Sequence, residues 1–101
     1  MKLQVQSIHF NADQSLLDYI QEKCDKLDQF FDKIIDGQVY LKVLKEGKPN
    51  NKSVEIKINV PNEVLIASET EVNRFEEGTD LCTDNLKRQI KRYKEKLRAY
   101  H

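Results

Sequence analysis

The chain has 101 residues, of which 39% are hydrophobic and 34% charged, so it fits one domain over residues 1–101 and excludes a two-domain enzyme. Its 17 basic and 17 acidic side chains cancel, so the total charge indicates neither a nucleic acid nor a membrane as partner. No stretch has the length and apolar character of a membrane span or a signal peptide, which predicts a cytoplasmic protein.

The first third of the sequence predicts a strand followed by a helix. Apolar residues at alternate positions predict a strand that starts at Leu3 and ends or bulges near Ser7. Asp13 is a typical N-cap for a helix that runs to about Phe31. The apolar face of this helix consists of Leu16, Ile20, Cys24, Leu27 and Phe31. A turn at Asp36 and Gly37 is expected to end it.

The remaining sequence predicts three strands in an antiparallel meander and a long second helix. The alternating positions are Val39, Leu41 and Val43, then Val54, Ile56, Ile58 and Val60, then Ile66, Ser68, Thr70 and Val72. Asn73 and Glu76 have the spacing of a capping box. Gly78 marks either a close approach to the sheet or tolerated drift. The predicted fold class is α+β, in the order β-α-β-β-β-α, with two helices side by side on one face of a four-stranded sheet.

Few residues offer catalytic or metal chemistry. The sequence has no phosphate-binding loop, metalloprotease motif or serine elbow, so we expect neither an enzyme nor a cofactor. A ladder at Glu76, Asp80 and Asp84 could hold a divalent cation, although acids that favour the helix dipole are the preferred interpretation. His9 is expected at a strand end or turn, and His101 has no catalytic partner.

The two cysteines, Cys24 and Cys82, lie far apart and outside any metal-ligand spacing. This pattern indicates small core residues in a reducing compartment. A disulfide between them is the rarer alternative.

Charge is segregated along the second helix. Residues 87–98 hold seven cations and one acid, a balance of +6 that leaves −6 for the rest of the chain. These cations are Lys87, Arg88, Lys91, Arg92, Lys94, Lys96 and Arg98. The helix dipole explains the sign of this trend but not its length of about three turns.

The first helix is also sorted by charge. One flank carries Lys23, Lys26 and Lys33 beside Tyr19 and Phe30, while Asp18, Glu22, Asp25 and Asp32 fall on the opposite flank. Side by side, the two helices would present one continuous cationic surface for a polyanion. RNA is favoured over DNA because no motif that enters a DNA groove is present. Acids at the start of the second helix argue against generic duplex RNA.

Two motifs carry a family resemblance. They are Leu86-x-Arg88-Gln89-Ile90-x-x-x-x-Lys94 and Tyr19-x-x-x-Lys23-x-x-Lys26-Leu27. With them, essentially the whole chain resembles the ribosome hibernation-promoting factors, also called the ribosome-associated inhibitor or sigma-54 modulation family. The resemblance implies a non-enzymatic domain that binds the small ribosomal subunit in the channel of messenger RNA and transfer RNA, and that represses translation in idle cells.

The resemblance also implies which residues bind ribosomal RNA. Those that match the family's basic positions are Lys23, Lys26, Arg88, Lys91 and Lys94, and the helical wheel adds Lys87, Arg92 and Arg98. Because the sequence stops a few residues past the second helix, it resembles the short form, and we expect a monomer away from the ribosome.

Two other functions stay open on the sequence alone. The basic helix could dock on an acidic protein such as a transcription (sigma) factor, or the domain could bind structured RNA in general. Nuclease treatment of a lysate before a pull-down separates the first from RNA binding, because a protein partner survives it.

Overall fold

The computed structural model describes residues 1–99 and contains the predicted elements in the predicted order. They are β1 (Leu3–Ile8), α1 (Gln14–Asp25), β2 (Asp36–Val43), β3 (Lys52–Val60), β4 (Glu63–Val72) and α2 (Phe75–Arg98), with a 3-10 helix (Lys26–Gln29) directly after α1. His101, discussed above, lies outside the described residues. No helix within residues 1–99 has an apolar stretch that could cross a bilayer.

The sheet order is β1-β2-β3-β4, with β1 parallel to β2 and the other neighbours antiparallel. One face of this sheet packs against both helices, which confirms the predicted α+β fold. Pairing of β1 with β2 runs unbroken from Leu3 to Ile8, so the strand ends there and does not bulge. His9 follows with a φ of 71°, as expected of a turn residue.

The core is a single layer of side chains between the sheet and the helices. Alternate residues of β2 and β3 point into it, and they meet the apolar faces of α1 and α2. Cys24 and Cys82 are fully buried there as free thiols, which confirms them as core residues. Burial raises the pKa of both thiols to about 12.

The first helix begins as predicted but ends early. The Asp13 side chain accepts a hydrogen bond from the Leu16 N–H at 2.8 Å, so Asp13 is the N-cap. The α-helix stops at Asp25 and tightens into the 3-10 helix, so the prediction of a helix to about Phe31 is wrong at its end. Phe30 directly follows the 3-10 helix, and its N–H donates a hydrogen bond of 3.0 Å to the carbonyl of buried Leu27.

Two predicted boundary signals are wrong. Asp36 and Gly37 do not form a turn, since both pair within β2. A Cβ at Gly37 would lie 2.7 Å from Leu3 Cδ2 on β1, so a larger residue here would require the Leu3 side chain to shift. The predicted capping box of Asn73 and Glu76 does not form. The N-cap of α2 is Arg74, whose side chain makes no capping hydrogen bond.

The alternating set predicted for β4 does not line the core, except at Val72. Leu65 and Ala67 are buried, whereas Ile66 is 48% exposed. Lys52 of β3 faces Val72 while Val54 faces Glu69, so β4 holds one extra residue in this interval. This bulge turns Val72 back into the core and breaks the alternation that the sequence suggests.

Gly78 is a point of close approach, as one of its two interpretations predicted. A Cβ at this position would lie 2.6 Å from Val54 Cγ2 and 3.2 Å from Val72 Cγ2. The absence of a side chain therefore sets how closely the start of α2 lies on β3 and β4.

We expect Gly78→Ala to lower the free energy of unfolding by about 1–2 kcal/mol, because overpacking outweighs the gain of about 1 kcal/mol in helix propensity. Urea denaturation measures the change. The control is Glu77→Ala at the exposed neighbouring position, for which we expect a change of no more than about 0.5 kcal/mol. A Gly78→Ala variant as stable as the wild type would contradict the close contact.

Candidate nucleic-acid interface

A surface groove runs along α2 where that helix passes the 3-10 helix. Its volume is about 420 Å³, and we call it the basic groove. Its lining residues are Phe30, Lys87, Ile90, Lys91, Lys94, Glu95 and Arg98. Four of these are cations that helical periodicity brings to one side of α2. Glu95 is the one acid among the described lining residues.

Phe30 contacts two of the cationic side chains of the groove. Lys87 Nζ lies 4.7 Å from the centroid of its ring, within cation–π distance. Lys94 Nζ donates a hydrogen bond of 2.8 Å to the Phe30 carbonyl oxygen. Lys87 and Lys94 therefore hold the end of the 3-10 helix against α2.

A smaller concavity of about 190 Å³ adjoins the basic groove on the α1 side. The lysines predicted from α1, Lys23 and Lys26, line it together with Lys87 and one acid, Asp84. The structure thus brings cations of the two helices together, with Phe30 between them.

Lys23 has an acidic partner. Its Nζ lies 3.2 Å from Asp80 Oδ1 on α2, and the Tyr19 hydroxyl donates a hydrogen bond of 2.6 Å to the same oxygen. Lys26 is exposed and makes no ion pair among the described residues. Of the two α1 lysines, Lys26 is the one with a free ammonium for a phosphate.

Asp80 therefore links α2 to Tyr19 and Lys23 of α1. Among residues 1–99, no three histidine, cysteine, aspartate or glutamate side chains lie close enough together to hold a metal ion. The ladder that the sequence suggested as a cation site does not converge in the described part of the chain.

The other predicted cations lie outside the basic groove. Arg92 and Lys96 line a separate concavity of about 180 Å³ beside Glu63, at the β4 side of α2. Arg88 is exposed on the helix surface, and Lys33 is exposed beyond the 3-10 helix. RNA binding by the eight predicted residues stays a prediction.

Sequence reasoning placed Phe30 beside the α1 lysines but missed its contacts with Lys87 and Lys94 of α2, and it missed the pairing role of Asp80. A single α-helical wheel put Phe30 on a flank, because it did not include the 3-10 helix. The signal for Asp80 was the pair Tyr19 and Lys23, four residues apart on one flank, since both carry donors for one carboxylate.

The hydrogen bond to Asp80 raises the pKa of Tyr19 to about 12, and desolvation and the nearby negative charge add to the shift. Since the folded-state pKa lies above the unfolded value near 10, the contribution to stability is complete below pH 10. It is lost as the pH rises from about 10 to 12.

We expect Asp80→Asn to return the pKa of Tyr19 toward 10, because the amide carries no negative charge to oppose the phenolate. An ultraviolet pH titration, compared with that of a Tyr19→Phe variant, isolates this one tyrosine. The control is Asp84→Asn, one helical turn away, which we expect to leave the titration unchanged. A Tyr19 that titrates alike in Asp80→Asn and in the wild type would contradict the contact.

Comparison with known proteins adds independent information. The chain matches the family model described as Sigma 54 modulation protein / S30EA ribosomal protein over residues 3–98. It is 31% identical over 99 residues to a protein of Pseudomonas putida named ribosome hibernation promoting factor, with coverage of 98% of this chain and 92% of the relative.

Two solved structures share the fold. The Thermus thermophilus Protein Y N-terminal domain aligns with a TM-score of 0.73 at 24% identity, covering 91% of this chain and 94% of that one. A ribosomal subunit interface protein from Coxiella burnetii aligns with a TM-score of 0.80 at 18% identity, covering 94% and 99%. At these identities the likeness concerns the fold alone.

Proposed function

The chain belongs to the Sigma 54 modulation protein / S30EA ribosomal protein family, and on that premise we propose that it is a ribosome hibernation factor. In this proposal it binds the small ribosomal subunit in the channel used by messenger RNA and transfer RNA. It represses translation by occupying that channel, with no chemical step of its own.

The observation that carries the proposal is the basic groove. Four cations share one groove with a single acid, and Lys87, Lys91 and Arg98 are exposed. Such a surface neutralises RNA phosphates and releases their counterions, which supplies most of the affinity for a polyanion.

The shape of the domain also supports the proposal. The described chain measures 53 × 22 × 18 Å. Tyr93 is the last buried residue of α2, so the end of the helix extends beyond the core with its cations in solvent. A narrow body with a cationic end suits a channel that otherwise admits RNA helices.

We expect simultaneous replacement of Lys87, Lys91 and Arg98 by Glu to abolish cosedimentation with purified small ribosomal subunits, because charge reversal in the groove repels phosphate. Lys94 is left unchanged because it bonds the Phe30 carbonyl. Circular dichroism checks that the variant folds.

The matched control replaces Lys42, Lys45 and Lys48 by Glu. These lysines are exposed at the β2–β3 end of the sheet, and the change in net charge is the same. We expect this variant to cosediment like the wild type. Equal binding by the folded groove variant and the wild type would refute the proposal. Capture of a protein from a nuclease-treated lysate in place of ribosomes would favour an acidic protein partner.

The affinity for small subunits should fall steeply with salt. About six phosphate contacts predict a slope of about −4 to −5 in a plot of log affinity against log salt concentration. Binding measurements over a potassium chloride series test this. A slope near zero would show that phosphates are not the main contact.

A further inference from the structure

We propose that the exposed ring of Phe30 is a stacking platform for an unpaired base of RNA, and that the lysines around it hold the flanking phosphates. This rests on the proposed function and narrows it, because the RNA element recognised at the basic groove is then single-stranded.

The exposure of Phe30 is the first observation. The side chain is 38% exposed, whereas Leu27, one turn before it, is buried, and Phe31 packs edge-on against the Tyr93 ring with centroids 5.3 Å apart. Leu27, Phe31 and Tyr93 supply the apolar contact between the 3-10 helix and α2. The ring of Phe30 is left at the surface.

The backbone that carries this ring is held on both sides. The Phe30 N–H donates to the Leu27 carbonyl at 3.0 Å, and the Phe30 carbonyl accepts from Lys94 Nζ at 2.8 Å. A ring on a fixed backbone loses little freedom when a base stacks on it, so its position favours binding.

The surroundings of the ring fit a nucleotide. Phe30 borders the basic groove and two smaller concavities, of which one contains Asp84 and the other Asp28 and Asp32. The basic groove, with four cations and one acid, is therefore the side from which a nucleotide approaches the ring. The groove volume of about 420 Å³ lies within the range of small-molecule sites. Lys91 and Arg98 line the same groove, where they can pair with phosphates.

The contact between Lys87 and the ring shows that the face of Phe30 is open to a charged or aromatic group. Its ammonium rests 4.7 Å from the ring centroid, an attraction that a neutral aliphatic side chain could not provide. A nucleobase stacks on the face of an aromatic ring, and here it would take the place of the Lys87 ammonium. The long side chain of Lys87 can then move from the ring to a phosphate beside the base.

The test compares Phe30→Leu with Phe30→Tyr in binding to small ribosomal subunits over a salt series. Base–aromatic stacking predicts that Phe30→Leu binds about five-fold to a hundred-fold more weakly, with the salt slope unchanged. Phe30→Tyr keeps an aromatic face and should bind like the wild type. Lys91→Gln, by contrast, should reduce the slope by about 0.7–0.9.

A double variant separates stacking from mere positioning of Lys87. If Phe30 acts on the base, Phe30→Leu weakens binding as strongly in a Lys87→Gln background as in the wild type. If the ring only orients the Lys87 ammonium, Phe30→Leu has no further effect in that background, and the proposal is overturned.

A direct readout uses a short single-stranded oligoadenylate that contains a fluorescent adenine analogue. The wild type and Phe30→Tyr should quench this fluorescence, Phe30→Leu should not, and the same analogue inside an RNA duplex should be unaffected. No quenching by the wild type at concentrations that saturate subunit binding would overturn the proposal. If charge reversal in the groove abolishes subunit binding while Phe30→Leu leaves it intact, the proposed function stands and the stacking role alone fails.

Discussion

The cationic surface depends on how α2 is fixed to α1 and to the end of the 3-10 helix that follows α1. Tyr19 on α1 donates to Asp80 on α2 at one end, and Lys94 on α2 donates to the Phe30 carbonyl at the other. Between these bonds the helices share a buried apolar core. Like charges along α2 repel, so the cations cannot hold this geometry themselves. The core and the two polar contacts impose it on them.

A net charge of zero has a physical meaning in this arrangement. The +6 of residues 87–98 is balanced by −6 elsewhere, so at distances beyond a Debye length of about 8–10 Å the molecule attracts polyanions only weakly. Within contact distance the basic groove is strongly positive. A polyanion is therefore attracted strongly only when its phosphates lie close to the groove, where the cations are nearer than the acids. This requirement favours partners whose shape fits the groove.

Local patterns predicted most of the fold because they depend on near neighbours. The Asp13 cap and the alternation of β2 and β3 needed no long-range information. Gly78 was already marked as a possible contact point. The bulge before Val72 and the pairing of Asp80 depend on residues distant in sequence, so no period revealed them. The same applies to the site. Helical spacing predicted the cations, but the 3-10 helix before Phe30 contains no glycine or proline that would indicate a break in α1.

The surface is assembled from α1 and α2, which three strands separate in the sequence. During synthesis α1 emerges early, yet its lysine flank has no partner until α2 has been made and has packed beside it. A growing polypeptide that lacks α2 therefore carries no complete binding surface. Under the proposed function, a nascent chain that lacks α2 is not yet able to bind the small ribosomal subunit.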